Sequence, residues 1–106
     1  MDQQAFIVDD DPGVRDSLRV LLEVAGFNVR CFGSAKQFLD GDDARYGCLI
    51  TDICMPDMNG LELQEEIIRR QMNLAVIVMT GHGDVPLAVR AIKAGAVDFL
   101  EKPFDA

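Results

Sequence analysis

Cys48-Leu49-Ile50-Thr51-Asp52 is an apolar run that stops on a carboxylate. Its first three residues suit a strand buried on both faces, as in a parallel sheet covered by helices on either side. Asp52 then falls at the strand's C-terminal end, where ligand crevices open in sheets of this kind. Behind it, Pro56 disfavours helix at Met55, and Asn59-Gly60 invites a turn. Taken alone, Asp52 reads as an aspartate opening a surface turn. The other strand ends change that reading.

Working outward, the same pattern repeats. Ala5-Phe6-Ile7-Val8 is a short apolar run ending in Asp9-Asp10-Asp11-Pro12. Asp11 can cap a helix whose first turn holds Pro12, and Val14, Leu18, Leu21, Leu22 and Ala25 follow at helical spacing up to Gly26. Residues 28–32 suit a second strand, and Ser34 can cap a short helix through Leu39. Past the central strand, Leu61, Leu63, Ile67 and Ile68 mark a third helix, with Arg69-Arg70 suited to its C-terminal end. Residues 75–79 form a fourth strand ending at Thr80-Gly81. Asp84 can cap a fourth helix that runs from Pro86 to Ala94 and stops at Gly95. Residues 97–100 make a fifth strand, followed by Glu101-Lys102-Pro103-Phe104. Regular strand–helix alternation predicts a doubly wound α/β fold with a parallel five-stranded sheet.

At 106 residues the chain is one domain, with almost half of its residues apolar and a net charge of −8. That acidity argues against this segment gripping nucleic acid. No apolar run reaches membrane-spanning length, and Met1-Asp2-Gln3-Gln4 lacks the basic start of a signal peptide. Cys31, Cys48 and Cys54 are odd in number, fall in or beside predicted strands and have no zinc spacing. They read as reduced thiols of a cytoplasmic protein.

The chemistry lies just past the strands: Asp9 and Asp10 after the first, Asp52 after the third, Thr80 after the fourth and Lys102 after the fifth. A parallel sheet brings all of these to one edge. Three close carboxylates repel one another unless a cation joins them. All-oxygen donors suit magnesium first. Lys102 and the Thr80 hydroxyl could each hold an oxygen of a phosphoryl group, equipment that suits phosphoryl transfer. The chain has no glycine-rich phosphate loop, so a nucleotide is not the expected ligand. A carboxylate is left as nucleophile, which would give an aspartyl phosphate. Singly, each residue has a plain alternative as a cap, a turn or a surface lysine. Jointly, those alternatives explain four strand ends poorly.

Ile7-Val8-Asp9-Asp10-Asp11, residues 51–60 from Thr51 to Gly60, Thr80-Gly81-His82-Gly83-Asp84 and residues 96–104 from Ala96 to Phe104 together resemble the receiver domain of two-component response regulators. The last two runs look most like the FixJ-type subgroup. The resemblance spans essentially the whole chain and implies a flavodoxin-like sheet of order 2-1-3-4-5. By resemblance Asp52 is the phosphoacceptor, and Asp10 and Asp52 bind Mg2+ directly. Asp9 would bind it through water and Cys54 through its backbone carbonyl. Thr80 and Lys102 would contact the phosphoryl group, Thr80 and Phe99 would move together on activation, and Lys102-Pro103 matches the family's cis peptide position. The implied partner is a sensor histidine kinase. Self-association is expected through the region Pro86 to Leu100, and DNA binding only through a C-terminal output domain.

Two departures stand out. Cys54 occupies a position that is often arginine in the subgroup, which leaves the metal's carbonyl ligand intact but bears on phosphoryl lifetime. The family also has a fifth helix after Lys-Pro-Phe, whereas this sequence stops at Ala106. Residues 1–106 are therefore expected to be a receiver domain cut before its last helix. Two other functions fit part of the pattern. A magnesium-dependent aspartyl-phosphate hydrolase would need a general acid where Cys54 stands. A phosphate-independent docking module would not need all five polar residues. His82, between two glycines, reads as a loop residue, and Met55, Met58 and Met79 as fillers.

Overall fold

The computed structural model describes residues 3–41, 46–81 and 84–102. In chain order they form β1 (Gln4–Val8), α1 (Pro12–Val24), β2 (Asn28–Phe32), α2 (Ala35–Gly41), β3 (Tyr46–Asp52), α3 (Gly60–Arg69), β4 (Asn73–Thr80), α4 (Val85–Lys93) and β5 (Asp98–Glu101). The strands build one sheet in the order β2-β1-β3-β4-β5, with every pairing parallel. This is the expected doubly wound architecture.

Strand alternation splits the core in two. Phe6, Val8, Leu49, Val76 and Val78 pack with Ala35 and Phe38 of α2, Leu63 and Ile67 of α3 and Ala91 of α4. Phe38 is fully buried and meets the rings of Phe6 and Phe32 edge-on, at centroid distances of 5.6 and 5.3 Å. On the opposite face Ile7, Ile50 and Met79 pack under α1, which supplies the helical residues of that cluster through Val14, Leu18 and Leu22. Cys31, Cys48 and Ile77 remain half-buried there. All three thiols are free.

Two strands begin earlier than the apolar runs suggest. β3 takes in Tyr46 and Gly47, and β4 starts at Asn73 rather than Ala75. Gly47 is extended through a positive φ of 128°, and a Cβ there would lie 2.6 Å from the Gln4 carbonyl oxygen. The glycine lets the start of β3 pass against β1 where any side chain would collide.

Helix starts follow the local chemistry, with one exception. The Asp11 carboxylate accepts from Gly13 N at 2.8 Å, ahead of Pro12 in the first turn. Asn59 and Glu62 form a reciprocal capping box on α3, at 2.8 and 3.0 Å. Asp84 does occupy the N-cap position of α4, but its side chain makes no capping bond. It turns back instead to accept from Gly81 N at 3.1 Å and from the Cys54 thiol at 3.6 Å.

The loop behind Asp52 has no spare room. A Cβ on Gly60 would come within 2.7 Å of the Asp52 carbonyl oxygen and 2.8 Å of Ile53 Cα, both backbone atoms. Gly60→Ala is therefore expected to cost about 1–3 kcal/mol, as overpacking does, and urea unfolding would measure it. Asn59→Ala, which removes one half of the capping box, should cost about 1 kcal/mol. If both variants matched the parent's midpoint, the loop would not be the tight element described here.

Candidate functional site

Sheet register brings the charged residues together. Val8 pairs with Thr51 and Asp52 with Met79, while Thr80 pairs with Glu101. Asp9, Asp10, Asp52 and Lys102 consequently leave neighbouring strands at one edge. Asp9 is fully buried, Asp52 nearly so, and Asp10 is exposed.

Asp9 is fixed from several sides. Its N–H donates to the Phe32 carbonyl at 3.1 Å and its Oδ1 accepts from Asp11 N at 2.8 Å. Arg15 Nη1 donates to its carbonyl oxygen at 2.7 Å, a contact that helical spacing alone does not reveal. Asp52 Oδ1 accepts from Cys54 N at 3.2 Å. Lys102 arrives at the end of β5, its N–H donating to the Thr80 carbonyl at 2.7 Å. Its ammonium lies 2.7 Å from Asp9 Oδ2 and 2.9 Å from Asp52 Oδ2. Only the Asp52 contact has hydrogen-bond direction; Asp9 Oδ2 is a buried oxygen with charge beside it and no directed donor.

Electrostatics follow from that packing. Burial pushes the Asp9 carboxyl above the ordinary carboxylate range; the Lys102 contact and the Asp11 amide partly offset it, and the charge on Asp52 adds to it. Burial opposes the charge on Lys102, but its contacts with the Asp9 and Asp52 carboxylates outweigh that and hold the ammonium above its usual range. Burial also raises the Cys54 thiol, helped by the neighbouring Asp84 carboxylate.

The donor set fits a hard divalent cation. Asp9, Asp10 and Asp52 each offer a carboxylate oxygen, and these lie within 4.8 Å of one another. Asp9 Oδ2, buried beside the Lys102 ammonium without a directed donor, is the kind of oxygen that such a cation could also contact. The remaining candidates sit close by but are differently engaged. Thr80 is buried, and its hydroxyl donates to the Leu100 carbonyl at 3.4 Å rather than facing the carboxylates. Phe99 is half-buried against the core under α2, α3 and α4. The Cys54 thiol points to Asp84, a site neighbour read from sequence only as a helix cap. His82 and Pro103 lie outside the described residues.

Residues 5–106 match the response regulator receiver domain. The chain belongs to that family. Its relatives include the transcriptional regulatory protein FixJ of Azorhizobium caulinodans, 57% identical over 100 residues, covering 93% of this chain and 47% of that protein. FixJ of Bradyrhizobium diazoefficiens is 50% identical over 101 residues, covering 94% of this chain and 49% of that one. The receiver thus spans about half the length of these curated relatives. Among solved structures, FixJ-N superposes with a TM-score of 0.84 at 49% identity, covering 99% of this chain and 85% of that one. Full-length FixJ from B. japonicum gives 0.88 at 48% identity, over 97% of this chain and 51% of that one. Receiver, flavodoxin-like topology and FixJ-type similarity therefore agree with the expectations drawn from the strand ends.

The raised Asp9 carboxyl carries a stability consequence with a definite sign. Its folded-state pKa exceeds the unfolded one, so its contribution is fully present below the ordinary carboxylate range. It is lost as pH rises through the raised value. Asp9→Asn should therefore melt higher than the parent at neutral pH without metal, and the gap should close on acidification. Added magnesium should narrow it again by raising the parent's melting temperature more than the variant's. Thermal melts from pH 4 to 7.5, with and without magnesium, test both signs.

Proposed function

We propose that Asp52 is the phosphoacceptor of this receiver and takes its phosphoryl group from a phosphohistidine on a sensor kinase. A carboxylate oxygen of Asp52 attacks phosphorus, the bond from phosphorus to the imidazole nitrogen breaks, and the histidine leaves as neutral imidazole after taking a proton. The observation that carries this reading is the held Asp52 carboxylate: one oxygen is fixed by the Cys54 amide and the other by Lys102, beside two further aspartates. Asp10 and Asp52, with Asp9 behind them and the Cys54 carbonyl beside them, would hold Mg2+. When bound, that ion neutralises charge on the carboxylates and the phosphoryl oxygens. Lys102 can transfer its ammonium from the carboxylates to a phosphoryl oxygen without leaving the site.

Thr80 is the next element in the proposal. Its hydroxyl would exchange the Leu100 carbonyl for a phosphoryl oxygen, drawing in the end of β4. Phe99, next to Leu100 on β5, would follow. Such a change biases a two-state equilibrium in α4 and β5. Release of phosphate to water would be slow, with Cys54 bordering the route. Val85, Val89, Ile92 and Val97 are exposed apolar residues on or beside α4. They favour self-association through the Pro86 to Leu100 region when the equilibrium shifts. In a protein the length of the FixJ relatives, the receiver would control a DNA-binding output domain and work in the cytoplasm.

Acetyl phosphate with magnesium should add one phosphoryl group to the parent chain, read by intact mass spectrometry. Asp52→Asn should add none, because an amide cannot form the acyl phosphate. Lys102→Ala should keep magnesium binding yet lose phosphorylation or its structural response. Label mapped to Asp9 or His82 would refute the assignment. Light scattering across concentrations, before and after phosphorylation, tests the self-association.

A further inference from the structure

Asp10 is the exposed carboxylate of the cluster, and none of the described residues bonds to its side chain. Its position therefore rests on its backbone, which is held by its two neighbours. Asp9 N–H donates to the Phe32 carbonyl, and Asp9 Oδ1 accepts from Asp11 N–H. Arg15 then bonds on both sides of Asp10. Its Nη1 donates to the Asp9 carbonyl at 2.7 Å, and its own N–H donates to the Asp11 carbonyl at 3.1 Å. The Asp9 carbonyl belongs to the planar peptide that joins Asp9 to Asp10. Holding that oxygen sets the plane from which the Asp10 side chain departs. The donor is the charged guanidinium of a half-buried residue, and charge-assisted bonds are roughly twice as strong as neutral ones. It crosses the end of β1 from α1 toward β2, where a Cβ on Gly33 would lie 3.5 Å from Nη1.

We propose that Arg15 is a positioning residue for the divalent-cation site, holding the Asp9–Asp10 peptide so that the Asp10 carboxylate stays beside those of Asp9 and Asp52. The inference rests on the reading that these carboxylates bind magnesium, and it adds the residue that keeps the exposed one in place. Charge alone predicts the opposite effect. A guanidinium on Asp9 repels a metal ion held by the same cluster, so removing its charge would tighten magnesium binding. Removing a brace loosens it, as loss of a ligand's hydrogen-bonded support typically does. The sign of the change therefore separates the two roles. Helix formation does not need the guanidinium either, since a cation near the N-terminus of α1 opposes the helix dipole.

Magnesium titrated calorimetrically into the unphosphorylated 106-residue chain gives the sign. Arg15→Met, which removes both charge and donor, should bind the ion about tenfold more weakly than the parent. Arg15→Gln is equally uncharged but keeps a donor on a shorter side chain, and should fall between the two. In the metal-free Arg15→Met chain, backbone NMR relaxation should show a more mobile Asp10 amide, while the melting temperature stays close to the parent's. An Arg15→Met chain that binds magnesium as tightly as the parent, or more tightly, overturns the inference. So does weaker binding that merely follows a lowered metal-free melting temperature, with the Asp10 amide unchanged. If Arg15→Met does not fold, Arg15→Gln decides by the same sign. A parent that binds no magnesium, or an Asp10→Asn variant that binds it equally well, overturns the reading of the cluster itself and this inference with it.

Discussion

An ammonium between two buried carboxylates holds the functional edge of this receiver together. Lys102 neutralises Asp9 and Asp52 at once, and neither carboxylate has another cationic side chain beside it among the ion pairs of the described residues. Without that charge, two anions would sit together in a poorly hydrated place. The constraint reaches the whole sheet, because Asp9 follows β1, Asp52 ends β3, and Lys102 follows β5. Strands that are not all neighbours must keep register for the charges to meet. The pairing is asymmetric: Lys102 bonds in a directed way to Asp52, while its contact with Asp9 is an ion pair without that direction.

The two sides of the sheet are unequal. Among the described residues, α2, α3 and α4 feed one core cluster, while α1 alone supplies helical residues to the other. Leu100, paired to Met79 on β4, and Val20, Leu21 and Val24 on α1 stay exposed. Among the described residues, the four-residue β5 pairs with β4 alone. The strand that delivers Lys102 is thus shorter than β3 and β4 and lies at the edge, whereas the strand that delivers Asp52 is central.

Much of this was legible in the residues. The strand-end rule found Asp9, Asp10, Asp52, Thr80 and Lys102 because each ends or follows an apolar run, and parallel topology does the rest. What escaped depended on partners distant in sequence. Asp84 carries the local signal of a helix cap, and only the fold offers it the Cys54 thiol thirty positions away. Gly47 looks like a strand breaker until the Gln4 carbonyl lies against it. Gln64 is polar on a helix, and only the fold shows it buried with its amide on the Ala91 carbonyl of α4. Thr80 was found, but the direction of its hydroxyl toward Leu100 was not, since a hydroxyl rotor has no signature in sequence.

The capping box on α3 has a chemical consequence over the lifetime of the molecule. Asn59-Gly60 is the dipeptide most open to deamidation, in which the glycine nitrogen attacks the asparagine side chain and closes a succinimide ring. Here the Asn59 side-chain oxygen is engaged by Glu62 N, and the Gly60 N–H is engaged by the Ile53 carbonyl at 3.0 Å. Both reacting groups are held in other bonds, so ring closure has to wait for local opening of the loop behind Asp52. The rate of this ageing reaction therefore follows the fraction of time that the loop spends open. Anything that clamps the loop slows the loss of ammonia from Asn59.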